Sequence, residues 1–481
     1  MLNLRPYQLA IVAETREKLR KHRSVLIVSP TGSGKTNLGA YIASSAIARG
    51  NGIWFVVHRD FLIHQTVATF KSLGIPCGII AAGYPINPFV PVQIGSAPTL
   101  VRRIARLTPP RLLIIDAAHH LSPGNTWSRI ASWHYAAGGH TIGLTATPAR
   151  TNGEGLDSHF DVMVCGPSVA DLIGMGFLSP YRAFAPSRPD LQGVHTRAGD
   201  YAKDDLDDVM DTGSIIGDMV GHYRRLGYVN DGPDRGRPLR AIYFAVSVRH
   251  SQHIAASFNQ AGVAARHLDA SSSTVDRTRA ARDLSRGAVA VLTNCDLFGE
   301  GYDLSAQAGR DVSVEAVGLA RPTQSLVLHC QQIGRSLRPK DGGAPALILD
   351  HAGNCQRHGL PDTPREWSLT GIDPAERRKT EDTLAVRQCP ACFAIHTPRP
   401  SCPECGHVYE ITAREVEELA GTLQEIDIQH EAELARLREK TAQRQARTVS
   451  ELEKIARQKG YSPGWARHVF EARQRKAEKR A

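Results

Sequence analysis

Residues 25–40 read VLIVSPTGSGKTNLGA: four apolar residues, a glycine-rich turn, a Lys-Thr pair and the opening of a helical pattern. A short run that is apolar at every position is a strand buried on both faces, as in a parallel sheet. A glycine-rich turn between such a strand and a helix lets backbone N–H groups converge on an anion at the helix N-terminus. Thr31, Gly32, Ser33 and Gly34 make up the turn, Lys35 is placed to reach the β and γ phosphates of a nucleotide, and Thr36 to hold Mg²⁺. Ser29 stands where the strict phosphate-loop pattern has glycine, but strand, loop and helix come in the required order.

Outward from this stretch the same alternation continues. Residues 53–57, 112–115 and 141–144 are further apolar runs with helical patterns between them. The pattern loosens after Pro148, passes through a Pro-, Gly- and Asp-rich region at 186–211, and resumes with runs at 241–246, 264–268, 289–292 and 346–349. Two successive α/β domains, each built on a parallel sheet, are therefore expected. With 481 residues, 42% of them hydrophobic, the chain can fill several cores. Beyond residue 360 the strands stop, and from residue 414 the chain reads as charged helix, broken near 460–464.

The 58 Lys and Arg against 48 Asp and Glu leave a formal charge of +10, which favours a polyanionic partner. Residues 1–9 include Arg5, Pro6 and Gln8 and lack the apolar core of a signal peptide. No apolar run approaches the roughly 20 residues of a membrane span, so a cytoplasmic protein without membrane contact is expected. Of nine cysteines, Cys389, Cys392, Cys402 and Cys405 crowd together, while the other five are scattered and read as reduced, mostly buried thiols.

Further residues fit the phosphate loop. Asp116 ends the run 112–115, where a carboxylate can hold Mg²⁺ through water. Thr145-Ala146-Thr147-Pro148 ends the next run. In the second domain, Gln331-x-x-Gly334-Arg335-x-x-Arg338 lies on a helix-like stretch before Pro339, so that Arg335 and Arg338 are expected to share one face and to complete the site when the domains close.

Taken in order, LRPYQ at 4–8, SPTGSGKT at 29–36, DAAH at 116–119, LTATP at 144–148 and QQIGRSLRP at 331–339 resemble the motif set of superfamily 2 helicases, over residues 4–350. The resemblance implies two tandem RecA-like domains, residues 1–167 and 168–355, with ATP and Mg²⁺ bound between them. It also implies that Gln8 reads the adenine edge, that Thr145, Thr147 and Gln331 couple nucleotide to the domain interface, and that Arg335 and Arg338 complete the γ-phosphate site. His58, Arg59, Ser96, Thr99, Thr293 and Asn294 would line a phosphate-tracking groove across both domains. Gly301 and Asp303, in GEGYD at 299–303, resemble the loop that reports nucleotide state to that groove.

The sequence departs from this family at one decisive position. Ala117 stands where the family has the Glu that orients and deprotonates the attacking water, and a methyl group does neither. Phosphate and metal ligands remain, so the expectation is a chain that binds ATP and hydrolyses it poorly. Two origins stay open: an engineered Glu-to-Ala trap, favoured by the intact remaining motifs, and a natural pseudo-ATPase.

Cys389-x-x-Cys392 and Cys402-x-x-Cys405 form two knuckle-like pairs with the spacing of a closed tetrahedral zinc site, which needs neither His396 nor His407. A helicase core followed by LILDHAGNCQRHG at 347–359, a four-cysteine element and a charged tail is similar to the RadD-like group of bacterial and phage DNA-repair helicases. The expected organisation is completed by a connector at 356–385, a zinc module at 386–410 and a helical tail at 411–481. The resemblance implies an ATP-driven motor on single-stranded or branched DNA, in repair or phage DNA metabolism, in a bacterial or phage-infected cell. An ATP-gated clamp that recruits a protein through the zinc module or tail, and the motor subunit of a restriction or defence complex, are the alternatives. The basic end, with Arg473, Arg475, Lys476, Lys479 and Arg480, suits either a DNA backbone or a solvated face.

Overall fold

The structure is a computed structural model that describes residues 4–57, 60–150, 153–186, 189–197, 199–298, 302, 304–371, 386–409, 446, 448–459 and 464–478. It divides into two units, Met1–Tyr409 and Glu410–Ala481.

The first lobe of the larger unit is a seven-stranded sheet, every pair parallel, in the order β3-β4-β2-β5-β6-β1-β7. Its strands are β1 Ser24–Val28, β2 Ile53–Val57, β3 Cys77–Ile80, β4 Val92–Ser96, β5 Leu112–Asp116, β6 His140–Thr145 and β7 Val162–Cys165. Successive side chains of a strand alternate between the faces. Ile27, Phe55, Ile114 and Ile142 fill one side, and Leu26, Val56, Leu113 and Ile115 fill the other. Both faces are covered by helices, which is why the runs read as continuously apolar.

The second lobe repeats the arrangement with six parallel strands, ordered β12-β13-β11-β14-β15-β8. Here β8 is Tyr181–Phe184, β11 Ala241–Phe244, β12 Ala265–Leu268, β13 Val291–Asn294, β14 Ala316–Leu319 and β15 Ala346–Asp350. The run expected at 289–292 is thus displaced, and Thr293 and Asn294 are the last residues of a buried strand rather than residues that follow it. Between β8 and β11 lie a short antiparallel hairpin, β9 Thr196–Arg197 and β10 Asp200–Tyr201, and the helices Lys203–Met210 and Gly213–Leu226. Leu206, Met210, Met219 and Tyr223 seat this insertion in the core. Its acidic residues reach the carboxyl ends of the strands: Asp200 accepts from Gln324 N at 2.7 Å and Thr323 Oγ1 at 2.9 Å, and Asp207 pairs with Arg249 at 2.8 Å.

Among the described residues the chain crosses between the lobes twice, and at Ala394 it is again on the second lobe. After β7 it passes through the helix Val169–Gly174 to β8. After β15 and the helix Asn354–His358 it returns as a strap. Asp362 is bonded by the Tyr181 hydroxyl on the second lobe, whereas Trp367 and Leu369 pack into the core of the first. There Leu369 O accepts from Leu156 N at 2.7 Å and from Asp157 N at 3.1 Å, and Glu154 bridges Gly371. Gly155 permits this approach, since a Cβ on it would lie 2.0 Å from Leu369 O.

The cysteine-rich element carries a two-stranded ribbon, β16 Arg387–Gln388 and β17 Ile395–His396, and docks on the outer edge of β8. Ala185 N donates to Phe393 O at 2.9 Å, and Arg182 pairs with Glu404 at 2.7 Å. In the smaller unit the helices Val449–Lys459 and Trp465–Glu478 pack on one another, burying Leu452 and Ala466. The first begins at a capping box, with Glu451 N donating to Thr448 Oγ1 and Thr448 N to Glu451 Oε2. Among the described residues no helix is long and apolar enough to cross a membrane.

Candidate functional site

The loop after β1 has Gly32 and Gly34 at φ +88° and +80°, a region that glycine enters without strain. Ser29, the residue in the usual glycine position, donates from Oγ to Ser33 Oγ at 2.8 Å and so ties the two ends of the turn together. Lys35 Nζ donates to Ser29 O at 3.0 Å and Pro30 O at 3.1 Å. Burial lowers its ammonium to about 8, against the opposing attraction of Asp116 and with a smaller contribution from Arg335. A buried ammonium between loop carbonyls, a carboxylate and a guanidinium is matched to a polyanion that would restore its charge.

The helix Pro6–Lys18 buttresses the loop. Gln8 Oε1 accepts from Arg5 N at 3.0 Å while its Nε2 donates to Ser33 O at 3.0 Å, and Tyr7 OH donates to the same carbonyl at 2.7 Å. Arg5 lies over the Phe177 ring at 4.6 Å. Arg5 and Tyr7 belong to the motif at 4–8, whereas Phe177 carries no motif signal, and only the folded chain brings it to them.

At the end of β5, Asp116 Oδ1 accepts from Ala117 N at 3.0 Å. Ala117 has φ +60°, a left-handed backbone that few non-glycine residues adopt. His119 links three motifs: its Nδ1 is 3.1 Å from Thr145 Oγ1 and its Nε2 is 3.3 Å from Gln331 Nε2 of the second lobe. Thr145 Oγ1 donates to Thr147 O at 2.7 Å. With that hydroxyl hydrogen committed, His119 carries its proton on Nδ1 and accepts from the Gln331 amide through Nε2. The chain of bonds therefore runs from the second lobe to the end of β6.

The second lobe meets the phosphate loop directly. A Cβ on Gly334 would lie 2.4 Å from Thr31 Cβ, and one on Gly32 would lie 3.8 Å from Arg338 Cγ. The helix Leu326–Gly334 ends at Gly334, so Arg335 and Arg338 do not share a helical face as expected. Ser336 N folds back to Ile333 O at 3.0 Å, and Pro339 stops the helix from continuing. Arg335 Nη1 donates to Tyr302 O at 2.6 Å. Behind the loop, Thr31, Ser168, Ile333, Gly334 and Trp367 bound a cavity of about 230 Å³ between the lobes.

The other expected positions divide. Thr293 and Asn294 are fully buried and bonded internally, Thr293 Oγ1 to Ser251 O at 2.7 Å and Asn294 Nδ2 to Tyr243 O at 2.9 Å. Ser96 is buried at the end of β4, and Thr99 is half-buried in the helix that follows. Thr36 is half-buried at the head of the helix Lys35–Ile47. His58, Arg59, Gly301 and Asp303 lie outside the described residues. Of the scattered thiols only Cys355 is fully buried and Cys165 is exposed. Burial nonetheless pushes all five upward, Cys295 to about 11.

The four clustered sulfurs lie within 4.8 Å of one another, with Cys389–Cys405 and Cys392–Cys402 each at 3.6 Å. Zinc–sulfur bonds of about 2.3 Å in a tetrahedron require sulfurs about 3.8 Å apart, so the set fits zinc. Two matching turns make it. Cys389 N donates to Ala394 O and Phe393 N to Cys389 O; Cys402 N donates to His407 O and Gly406 N to Cys402 O. Phe393 and Gly406 take the equivalent left-handed position, at φ +64° and +72°. His396 Nε2 is 2.7 Å from Tyr409 OH, a partner inside the fold.

Residues 1–150 match the family described as Type III restriction enzyme, res subunit. A 51.5 kDa protein of Lactococcus phage (isolate 7-9) is 32% identical over 387 residues, 80% of this chain and 78% of its own length. A Saccharomyces cerevisiae protein provisionally named ATP-dependent helicase IRC3 is 26% identical over 369 residues, 73% of this chain and 51% of its own length. This chain therefore spans about half of that relative. The Type ISP restriction-modification enzyme LlaBIII shares the fold at a TM-score of 0.52 and 18% identity, over 79% of this chain and 29% of that one. Relatives with helicase and restriction-motor names follow the chain through both lobes, and the protein belongs to helicase superfamily 2.

Proposed function

We propose that the chain is an ATP-driven motor on DNA, in which closure of the two lobes on ATP and their reopening move a strand along the groove at the carboxyl ends of both sheets. The observation that carries this reading is the direct seating of Gly334 against Thr31, with Gln331 bonded to His119, so that one nucleotide site draws on both lobes. We assign the lobes to residues 1–167 and 168–355, followed by the connector, zinc module and tail. Gln8 and residues 31–36 would hold the nucleotide, Thr36 and Asp116 the Mg²⁺, and Arg335 and Arg338 the γ-phosphate, with Thr145, Thr147, His119 and Gln331 transmitting its presence. The buried Thr293 and Asn294 would shape the groove floor rather than offer side chains to it. DNA as the track is supported by LlaBIII, which was solved bound to DNA. A role as the motor of a restriction complex is a second reading, favoured by the restriction-subunit match over residues 1–150.

Ala117 sets the rate in this proposal. Loss of a positioned general base costs about 10² to 10⁴ in turnover, while the binding residues are intact. Steady-state ATPase with and without single-stranded DNA, run on this protein and on Ala117→Glu, tests both parts. A silent parent and a DNA-stimulated A117E variant are expected. Two silent proteins that bind ATP would sink the motor reading in favour of a clamp, and an active parent would sink the assignment of the defect to residue 117.

A further inference from the structure

Several arginines of the second lobe are engaged by carboxylates. Arg237 and Arg240 grip Glu315, Arg249 pairs with Asp207 and Asp211, Arg266 with Asp283, and Arg321 with Asp200 and Asp296. The helix Thr274–Arg286 gathers on one face three that are not. Its Arg279, Arg282 and Arg286 are exposed, and no carboxylate among the described residues is in salt-bridge reach of them. At 3.6 residues per turn they fall within about 60° of arc and about 10 Å of axis. Ala280, Ala281 and Leu284, on the opposite side, are buried and seat the helix. Arg310, also exposed, donates from Nε to Ser285 Oγ at 2.7 Å and adds a fourth guanidinium on the flank.

Position gives the stripe its meaning. The helix begins after β12, at the carboxyl end of the parallel sheet where the groove is placed, and runs back along the outside of the lobe. The stripe thus leads away from the groove. Unpaired, co-facial and carried by arginine, whose planar fork matches phosphate geometry, it is suited to a regularly spaced polyanion. Each strand of a duplex offers one such charge per about 3.4 Å of axis.

We propose that Arg279, Arg282 and Arg286 form a second nucleic-acid contact, outside the groove, that holds the sugar-phosphate backbone of a duplex arm adjoining the strand in the groove. This rests on the DNA reading above. Each phosphate contact contributes a salt slope of about −0.9, or about fivefold in affinity near 0.15 M salt, so three contribute about a hundredfold.

The test compares a short single-stranded oligonucleotide with the same oligonucleotide joined to a duplex arm, binding measured across a salt series. The parent should prefer the armed DNA, and the variant Arg279→Gln/Arg282→Gln/Arg286→Gln should lose that preference, about a hundredfold, while single-strand affinity holds. Its salt slope on armed DNA should fall by about 2.7. Arg224→Gln/Arg225→Gln/Arg235→Gln, which removes three exposed arginines elsewhere on the lobe, should change neither. Equal losses in both triples, or an unchanged preference in the first, overturn the contact. A parent that binds no DNA overturns the DNA reading itself, a result distinct from a binding parent matched by its variant.

Discussion

Replacing Gly334 with Ala adds one methyl where the lobes meet. That Cβ would stand 2.4 Å from Thr31 Cβ and 2.7 Å from its Cγ2, where carbon atoms normally rest about 3.5–4.0 Å apart. Thr31 is β-branched and its Cβ is fixed to the backbone, so relief requires the phosphate loop or the whole second lobe to withdraw by more than about 1 Å. Overpacking of this kind costs about 1–3 kcal/mol, or roughly 5- to 150-fold in the population of the closed arrangement. Within the second lobe the sign reverses, because Ala in a helix is favoured over Gly by about 0.5–1 kcal/mol. Titration with Mg-ATP should therefore show an affinity reduced by roughly 5- to 150-fold, while calorimetric unfolding shows no loss of stability. An unchanged affinity would refute the claim that the nucleotide site is closed by the seating of Gly334 on Thr31.

The Lys35 ammonium, lowered to about 8 by burial, predicts a pH effect on binding. Because the folded value lies below the ordinary 10.5, burial of the charged form costs stability in full below about pH 8, and the cost falls away as the pH rises from about 8 to 10.5. Phosphates favour the charged form, so ATP affinity should fall by up to about tenfold per pH unit above 8, with proton uptake seen by calorimetry in buffers of different ionisation enthalpy; no uptake at pH 9 would contradict it. Zinc removal, or Cys405→Ser, should release one zinc per chain and expose the β8 edge that the module covers, read as a lower unfolding temperature and aggregation; a metal-free protein of unchanged stability would count against the staple. In Gly155→Ala the new Cβ collides with Leu369 O, so the Leu156 and Asp157 amides should exchange faster with deuterium. Unaltered protection there would mean the strap is not held as described.

Local features were legible in the sequence and long-range ones were not. The phosphate loop and the cysteine knuckles each lie within a few residues, and their chemistry fixes their spacing, so Lys35 and Cys389 could be singled out directly. The end of the helix at Gly334 had a signal in Pro339, yet the three-residue spacing of Arg335 and Arg338 suggested a shared face that the chain does not make. The limits of β13 are ambiguous in the sequence because the apolar run stops at Leu292 while the strand continues through the polar Thr293 and Asn294, which therefore read as lying after it. Nothing near Leu369 announces its bond to Leu156, since that pairing depends on the packing of two lobes already folded. The same holds for Asp200, whose partners Arg321, Thr323 and Gln324 stand more than a hundred residues away.

The strap has a mechanical consequence. Two bodies joined by a single pin can swivel about any axis through it, whereas two bodies joined at two separated points can only swing about the line between those points. The passage from β7 to β8 is one point, and the bonds of Leu369 to Leu156 and Asp157 are the other. While both hold, these two described connections make the lobes a gate on two hinges, with one angle to vary. Each opening then retraces the arc of the last closing.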